Sequence, residues 1–187
     1  MTKSVLDRDI DRVLLTQEEI QRVTTRIAAQ IDRDFRSSKR LLLLGILKGS
    51  VVFMGDLMKK VTVPVEIDFM KVSSYKTGTE SSGRVNILLD LNRPDLSECD
   101  IVIVEDIIDS GRTLSYLVEY LLLGGAKSVH TCTLLDKPSR RVVEFKPDYV
   151  GYEIPDEFVV GYGLDYAEQY RTLPYIGILK PDVYKKK

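Results

Sequence analysis

Residues 101–113 read IVIVEDIIDSGRT and constrain the chain more tightly than any other stretch. Ile101, Val102, Ile103 and Val104 form a β-branched run with no polar break, the pattern of a strand buried on both faces of a parallel sheet. Glu105 and Asp106 follow at once, then Asp109, Ser110, Gly111, Arg112 and Thr113. Beyond them the spacing turns helical, with Leu114, Leu117, Val118, Leu121 and Leu122 on one side. A strand, a small polar loop and a helix start make a site for anions at the carboxyl edge of a sheet.

The loop carries two kinds of chemistry. Ser110, Gly111 and Thr113 offer hydroxyls and free backbone N–H groups at a helix N-terminus, where the macrodipole favours a phosphate. Gly111, without a Cβ, lets the backbone turn tightly and approach a ligand. Glu105 and Asp106 would repel a phosphate placed against them. Two acids beside a phosphate cradle therefore call for ribose hydroxyls as donors, or for Mg²⁺ to neutralise charge. A sugar phosphate with free hydroxyls and a metal-bound pyrophosphate satisfies both demands. Acids at the end of a buried strand also cost stability unless they find partners, which sets the string apart from an ordinary acidic turn.

The same plan occurs earlier. Leu41–Leu47 is a second all-apolar strand, interrupted by Gly45, that leads into Lys48, Gly49 and Ser50 and then an apolar helical stretch from Val51 to Met58. Lys48-Gly49-Ser50 supplies one cation and open N–H groups suited to pyrophosphate, although K-G-S alone is a common turn. Further strands are expected at Val65–Val72, within Val85–Leu91, at Val129–Leu135, and as short pieces at Asp148–Glu153, Phe158–Tyr162 and Tyr175–Leu179. Thr16 and Glu19 form a capping box for a scaffold helix whose buried face is Ile20, Val23, Ile27 and Ile31. Gly124-Gly125 stops the helix after the central loop. Apolar strands alternating with helices predict an α/β fold, with an open, mostly parallel sheet flanked by helices. The strand-rich carboxyl-terminal part is expected to build a small hood over the sheet's carboxyl edge. All 187 residues read as one domain.

Composition narrows the function. A formal charge of −1 gives no general attraction to nucleic acid or anionic membrane, and Lys185–Lys187 reads as a solvated end. Two cysteines, Cys99 and Cys132, lack metal-ligand spacing and read as reduced thiols, while a single histidine, His130, sits in an apolar strand as packing. A zinc site or a Ser/His/Asp triad is thereby disfavoured. Met1–Asp11 has no apolar core of a signal peptide and no run is long enough to cross a bilayer, so a cytoplasmic protein is expected.

The string E-D-I-I-D-S-G-R-T resembles the 5-phosphoribosyl-1-pyrophosphate (PRPP) motif of the type I phosphoribosyltransferases, in the form found in their 6-oxopurine branch. The resemblance spans roughly Leu41–Leu179, with four separated motifs in the family's order. It implies transfer of a phosphoribosyl group from PRPP to hypoxanthine or guanine, yielding IMP or GMP and pyrophosphate, with Mg²⁺ as cofactor. Residue by residue it implies that Glu105, Asp106, Asp109, Ser110, Gly111, Arg112 and Thr113 bind PRPP, with Asp109 the general base toward the purine. Lys48, Gly49 and Arg171 take the pyrophosphate, and the Leu47–Lys48 peptide is cis. Lys137, Phe158, Val159 and Asp165 take the purine: Lys137 donates to the 6-oxo group, Phe158 stacks and the Val159 backbone meets the edge. Glu105, Asp106 and Asp165 serve the metal. Ser74 and Tyr75 belong to a lid over about residues 73–84, which keeps water from the reacting sugar. Whether Arg140 or Arg141 meets the ligand stays open.

Ser110 stands where relatives often carry threonine and Arg112 where lysine is common; hydroxyl and charge are kept. The family forms homodimers and homotetramers, and the same is expected here. Two other readings stand beside this one. Some proteins keep the PRPP fold as regulators that bind RNA or DNA, but they need a basic face or an added domain. A transferase for xanthine, adenine or uracil is the other; Lys137 disfavours adenine, because an ammonium has donors only.

Overall fold

Alternation along the apolar runs decides the architecture. In a strand, neighbouring side chains point to opposite faces, so a strand apolar at every position needs cover on both. A computed structural model describes residues 4–74, 85–93 and 95–185, and both faces are covered there. Along β2 (Leu41–Leu47), Leu41 and Leu43 enter one hydrophobic cluster, while Leu42, Leu44 and Ile46 enter another. Along β5 (Asp100–Ile108), Val102 and Val104 separate in the same way from Ile101 and Ile103.

The first cluster is closed by α1 (Gln17–Asp34) and α2 (Val51–Met58), the second by α3 (Arg112–Leu123). Helix α1 starts on the expected capping box, with Thr16 Oγ1 accepting from the Glu19 N–H at 3.2 Å and Glu19 accepting from the Thr16 N–H at 2.8 Å. Its buried stripe contains Ile20, Val23, Ile27 and Ile31. On α3 the buried residues are Leu114, Leu117 and Leu121, whereas Leu122 is exposed, one position round the helix from the stripe.

The main sheet has six strands in the order β4-β3-β2-β5-β6-β7, with β3 (Val65–Ser74), β4 (Val85–Leu89), β6 (Ser128–Asp136) and β7 (Tyr149–Glu153). All neighbours are parallel except β3 and β4. From β2 the chain continues outward to β3; from β5 it continues the other way, to β6. The carboxyl ends of β2 and β5 therefore flank the point where the strand order reverses, the place where open α/β sheets leave a crevice for ligands.

A second sheet of three antiparallel strands, β1-β9-β8, joins β1 (Ile10–Leu15) to β9 (Ile176–Leu179) and β8 (Val159–Val160). This is the hood, and two of its three strands come from the carboxyl-terminal part. Its first strand comes from the amino-terminal arm, and Tyr149–Glu153 belongs to the edge of the main sheet instead. The strand expected at Phe158–Tyr162 is also cut to two residues. Gly161 at φ +99°, Tyr162 at +51° and Gly163 at +101° swing the chain out of extended geometry. Among the described residues no helix is long and apolar enough to cross a membrane.

Candidate active site at the carboxyl edge of the sheet

Strand β5 does not end at Val104. Its parallel ladder with β6 runs on through Glu105↔Thr133, Ile107↔Leu135 and Ile108↔Asp136, carrying both acids at the tip of a paired strand. Both residues are half-buried, and Glu105 Oε2 is enclosed and without a hydrogen-bond partner. Desolvation, then the charge of Asp106 and a hydrogen bond to it, push the Glu105 carboxyl well above the ordinary range. Desolvation also raises Asp106, opposed by its own and Ile107's backbone N–H groups, by Glu105 and by the charge of Arg171. Both acids are therefore harder to ionise than a free carboxylic acid, Glu105 the more so.

The loop from Asp109 to Gly111 is fastened from outside. The Ser110 carbonyl accepts from the Val142 N–H at 3.1 Å and the Val143 N–H at 3.4 Å. Arg141 donates to the Asp109 carbonyl and to the Asp136 carboxylate. Gly111 caps α3 in the left-handed region, at φ +81°, where a Cβ would lie 2.9 Å from Arg141 Cδ. Arg141 therefore holds the loop, whereas Arg140 lies outside it with Asp156 at 3.5 Å. The next two residues, Arg112 and Thr113, open α3, and the Arg112 N–H donates to Ser110 Oγ at 3.4 Å.

Across the crevice stands the loop after β2. The Leu47–Lys48 peptide is cis, as expected. Ser50 is buried and donates to the Ile46 carbonyl at 2.6 Å, closing the turn into α2. A Cβ on Gly49 would fall 1.7 Å from Asp106 Oδ2, and one on Gly163 would fall 2.1 Å from the Gly49 carbonyl oxygen. Arg171 completes this stack by donating to the Gly163 carbonyl at 2.7 Å. Three segments distant in sequence therefore meet where Asp106, Gly49 and the Gly163–Arg171 turn come together.

The cations of this corner are paired with acids of the turn after β8. Arg171 lies 2.7 Å from Asp165 Oδ1 and 3.7 Å from Glu168 Oε1, and Lys48 lies 2.9 Å from Glu168 Oε2. Glu168 is itself at φ +64°, with its N–H bonded to Asp165 Oδ2 at 2.9 Å. Sequence reading missed Glu168; an acid beside an arginine in a polar turn carries no signal of its own.

The third wall is formed by Lys137 and the segment before β8. Lys137 follows β6 and is only 7% exposed, not solvated. Its Nζ donates to the Glu157 carbonyl at 2.9 Å and stands 3.7 Å from Asp109 Oδ1 and 3.8 Å from Asp156 Oδ1. This one ammonium links the loop of β5 to the segment that carries Phe158 and Val159. Val159 is buried in the ladder with β9, whereas Phe158 is 37% exposed. Of the two residues expected in a lid, Ser74 is the last of β3, paired with Val85, and Tyr75 lies outside the described residues.

Among the described residues no group of three or more histidine, cysteine, aspartate or glutamate side chains is placed to hold a metal ion, so Glu105, Asp106 and Asp165 do not form a self-contained cage. Mg²⁺ does not require one, since it is commonly bound through one or two carboxylates, waters and substrate phosphates. The partnerless Glu105 oxygen beside Asp106 fits that kind of open site.

A crevice at the switch point of an open, mostly parallel sheet, with an acidic strand tip followed by a glycine turn that opens a helix, is the setting of a phosphoribosyl-transfer enzyme. The profile of the phosphoribosyl transferase domain matches residues 13–167, and the chain belongs to that family. It is 51% identical over 181 residues to the hypoxanthine-guanine phosphoribosyltransferase of Bacillus subtilis, covering 97% of this chain and 99% of that protein. It is equally similar to part of the bifunctional protein TilS/HprT of Listeria monocytogenes, of which it spans 28% of the length. A crystal structure of a hypoxanthine phosphoribosyltransferase from Staphylococcus aureus superposes with a TM-score of 0.94 at 48% identity, over the whole of both chains.

Proposed function

We propose that the chain is a purine-salvage enzyme that transfers the 5-phosphoribosyl group of PRPP to N9 of hypoxanthine or guanine, releasing pyrophosphate with IMP or GMP. The observation that carries this reading is the meeting of Asp106, Gly49 and Arg171 on one side of the crevice with Asp109 and Lys137 on the other. The names borne by relatives of nearly equal length support it.

The roles follow from the chemistry of each wall. Glu105 and Asp106 accept from the ribose hydroxyls, which would supply the missing partner of Glu105 Oε2. Asp109, Ser110, Gly111, Arg112 and Thr113 wrap the 5′-phosphate, with hydroxyls and N–H groups turned to its oxygens. Lys48 and Arg171 take the charge that develops on pyrophosphate, while Gly49 lets the ligand approach the backbone. Bond breaking leaves an oxocarbenium-like anomeric carbon, as in glycoside chemistry. Lys137 donates to the purine 6-oxo group, and Asp109 receives a proton from the base at N7. Phe158 stacks on the ring, and the Val159 backbone meets its edge. Asp165, Glu105 and Asp106 would hold Mg²⁺ through waters and substrate oxygens; when bound, it neutralises pyrophosphate charge. Ser74 and Tyr75 belong to the lid that keeps water from the cation. The exposed Leu88, Leu89, Leu122 and Leu123 of β4 and α3 suit association of copies into a homodimer or homotetramer, working in the cytoplasm.

The test is pyrophosphate release from PRPP and Mg²⁺ with hypoxanthine, guanine, xanthine, adenine or uracil. Release is expected with the first two, and adenine should be rejected by a factor on the order of 10⁴, because it leaves Lys137 facing another donor. Release with adenine or uracil alone, or with no base, would overturn the reading. The pairing of Lys48 and Arg171 with Glu168 gives a second expectation. PRPP has to displace that carboxylate, so Glu168→Gln should lower the KM for PRPP about two- to fivefold, the range of an exposed ion pair. Steady-state kinetics at saturating base, with an unchanged KM for the base, checks it.

A further inference from the structure

A stacking platform is useful only if its plane is fixed, because a ring that turns freely about χ2 loses on binding the freedom that stacking must offset. Phe158 is partly exposed and directly precedes the two-residue strand β8. The structure supplies a second ring from the far end of the chain. Tyr184, the last residue of α4 (Pro181–Tyr184), lies against Phe158 with ring centroids 4.7 Å apart and 20° between the planes. Tyr166 meets the same phenyl edge-on, at 5.6 Å and 88°. Two protein rings therefore pack against Phe158, which keeps 37% of its surface exposed for a ligand ring.

Helix α4 is too short to be stable alone, so its position has to come from its contacts. The Lys180 N–H donates to the Asp9 carbonyl at 2.9 Å and Lys180 Nζ to the Arg8 carbonyl at 2.6 Å. Val183 and Tyr184 pack on the buried cluster of Ile10, Val160, Tyr170, Leu173 and Leu179. The Phe158 carbonyl is itself tied to the Leu179 N–H at 2.9 Å. The amino-terminal arm, β9 and α4 thus converge behind the ring.

We propose that Tyr184 is a positioning residue for the nucleobase: it holds the plane of Phe158 from behind, so that the opposite face is presented to the purine. This rests on the reading of Phe158 as the base's platform. Tyr184 acts through Phe158, so its effect falls on the base and not on the sugar phosphate.

The experiment compares Tyr184→Leu, which keeps apolar bulk on the buried cluster, Tyr184→Phe, which keeps the ring, and Phe158→Leu. KM values for hypoxanthine and guanine are measured at saturating PRPP, and for PRPP at saturating base, with circular dichroism and Tm confirming the fold. Tyr184→Leu is expected to raise the base KM about three- to tenfold, the worth of one aromatic pair, with the PRPP KM unchanged. Tyr184→Phe should restore the wild-type value. An unchanged base KM in folded Tyr184→Leu, an equal rise for both substrates, or failure of Tyr184→Phe to restore would overturn the proposal. A lowered base KM would also overturn it, by showing that Tyr184 stands in the base's own place. Loss of base affinity in Phe158→Leu with a silent Tyr184→Leu removes this inference alone. A silent Phe158→Leu removes the platform and the proposal together, and a wild-type protein inactive with every base removes the functional reading itself.

Discussion

Asp109→Asn is expected to lower kcat on the order of 10²- to 10³-fold while leaving the KM for PRPP within about a factor of three. The exchange keeps the shape of the side chain and removes its capacity to take a proton, the part that general-base catalysis needs. Little else should change. Lys137, 3.7 Å from Asp109 Oδ1, keeps the Glu157 carbonyl at 2.9 Å and Asp156 at 3.8 Å, so the ammonium is not stranded. The loop keeps its shape because Arg141 grips the Asp109 carbonyl and not its carboxylate. Loss confined to kcat, with PRPP binding intact, marks a group that acts in the transition state; a rise in KM for PRPP at constant kcat would instead make Asp109 a simple ligand of the sugar phosphate. Single-turnover kinetics with PRPP prebound separates the two, and near-wild-type kcat would remove the base role.

How much of this site can be read without coordinates differs from wall to wall. The two apolar runs, Leu41–Leu47 and Ile101–Val104, announce themselves because strands buried on both faces leave no polar position to blur the pattern. The capping box of Thr16 and Glu19 is local and equally plain. Where β5 ends is not, because Glu105 and Asp106 look like loop residues and stay in the strand only through pairing with β6. Strand β1 has a weak pattern, IDRVLL, and exists by pairing with β9, more than 150 residues away in the register Ile10↔Leu179.

Lys137 shows the same limit for a single side chain. Nothing near it in sequence says that it is buried, since its partners, Asp109, Asp156 and the Glu157 carbonyl, arrive from other parts of the fold. Local chemistry singled out Glu105, Asp106 and the loop from Asp109 to Thr113, the family resemblance alone pointed to Lys137, Phe158, Val159, Asp165 and Arg171, and long-range pairing decided which of them are enclosed. Arg141 as the clamp of the loop from Asp109 to Gly111, Glu168 between the two cations and Tyr184 against Phe158 all belong to this second class.

Gly49→Ala should be the most damaging small substitution in the crevice. The new methyl would lie 1.7 Å from Asp106 Oδ2 and 2.4 Å from its Cγ, inside any possible contact distance. Asp106 has little room to yield, being held by backbone N–H groups and by Glu105. Gly49 cannot retreat either, because its carbonyl oxygen already occupies the place of a Gly163 Cβ, at 2.1 Å. The loop carrying Lys48 and the acid pair must therefore separate by about an ångström, a displacement that costs on the order of 10² in rate when it moves groups around a reacting centre. Overpacking adds about 1–3 kcal/mol of lost stability. Gly55, in α2, supplies the control: an added Cβ there meets nothing within 4 Å. Gly55→Ala should stabilise the helix by about 0.5–1 kcal/mol and leave kinetics untouched. Thermal melts and kcat/KM for PRPP on both variants test the pair. Comparable activity in the two would mean that the approach of Gly49 to Asp106 has no part in pyrophosphate binding.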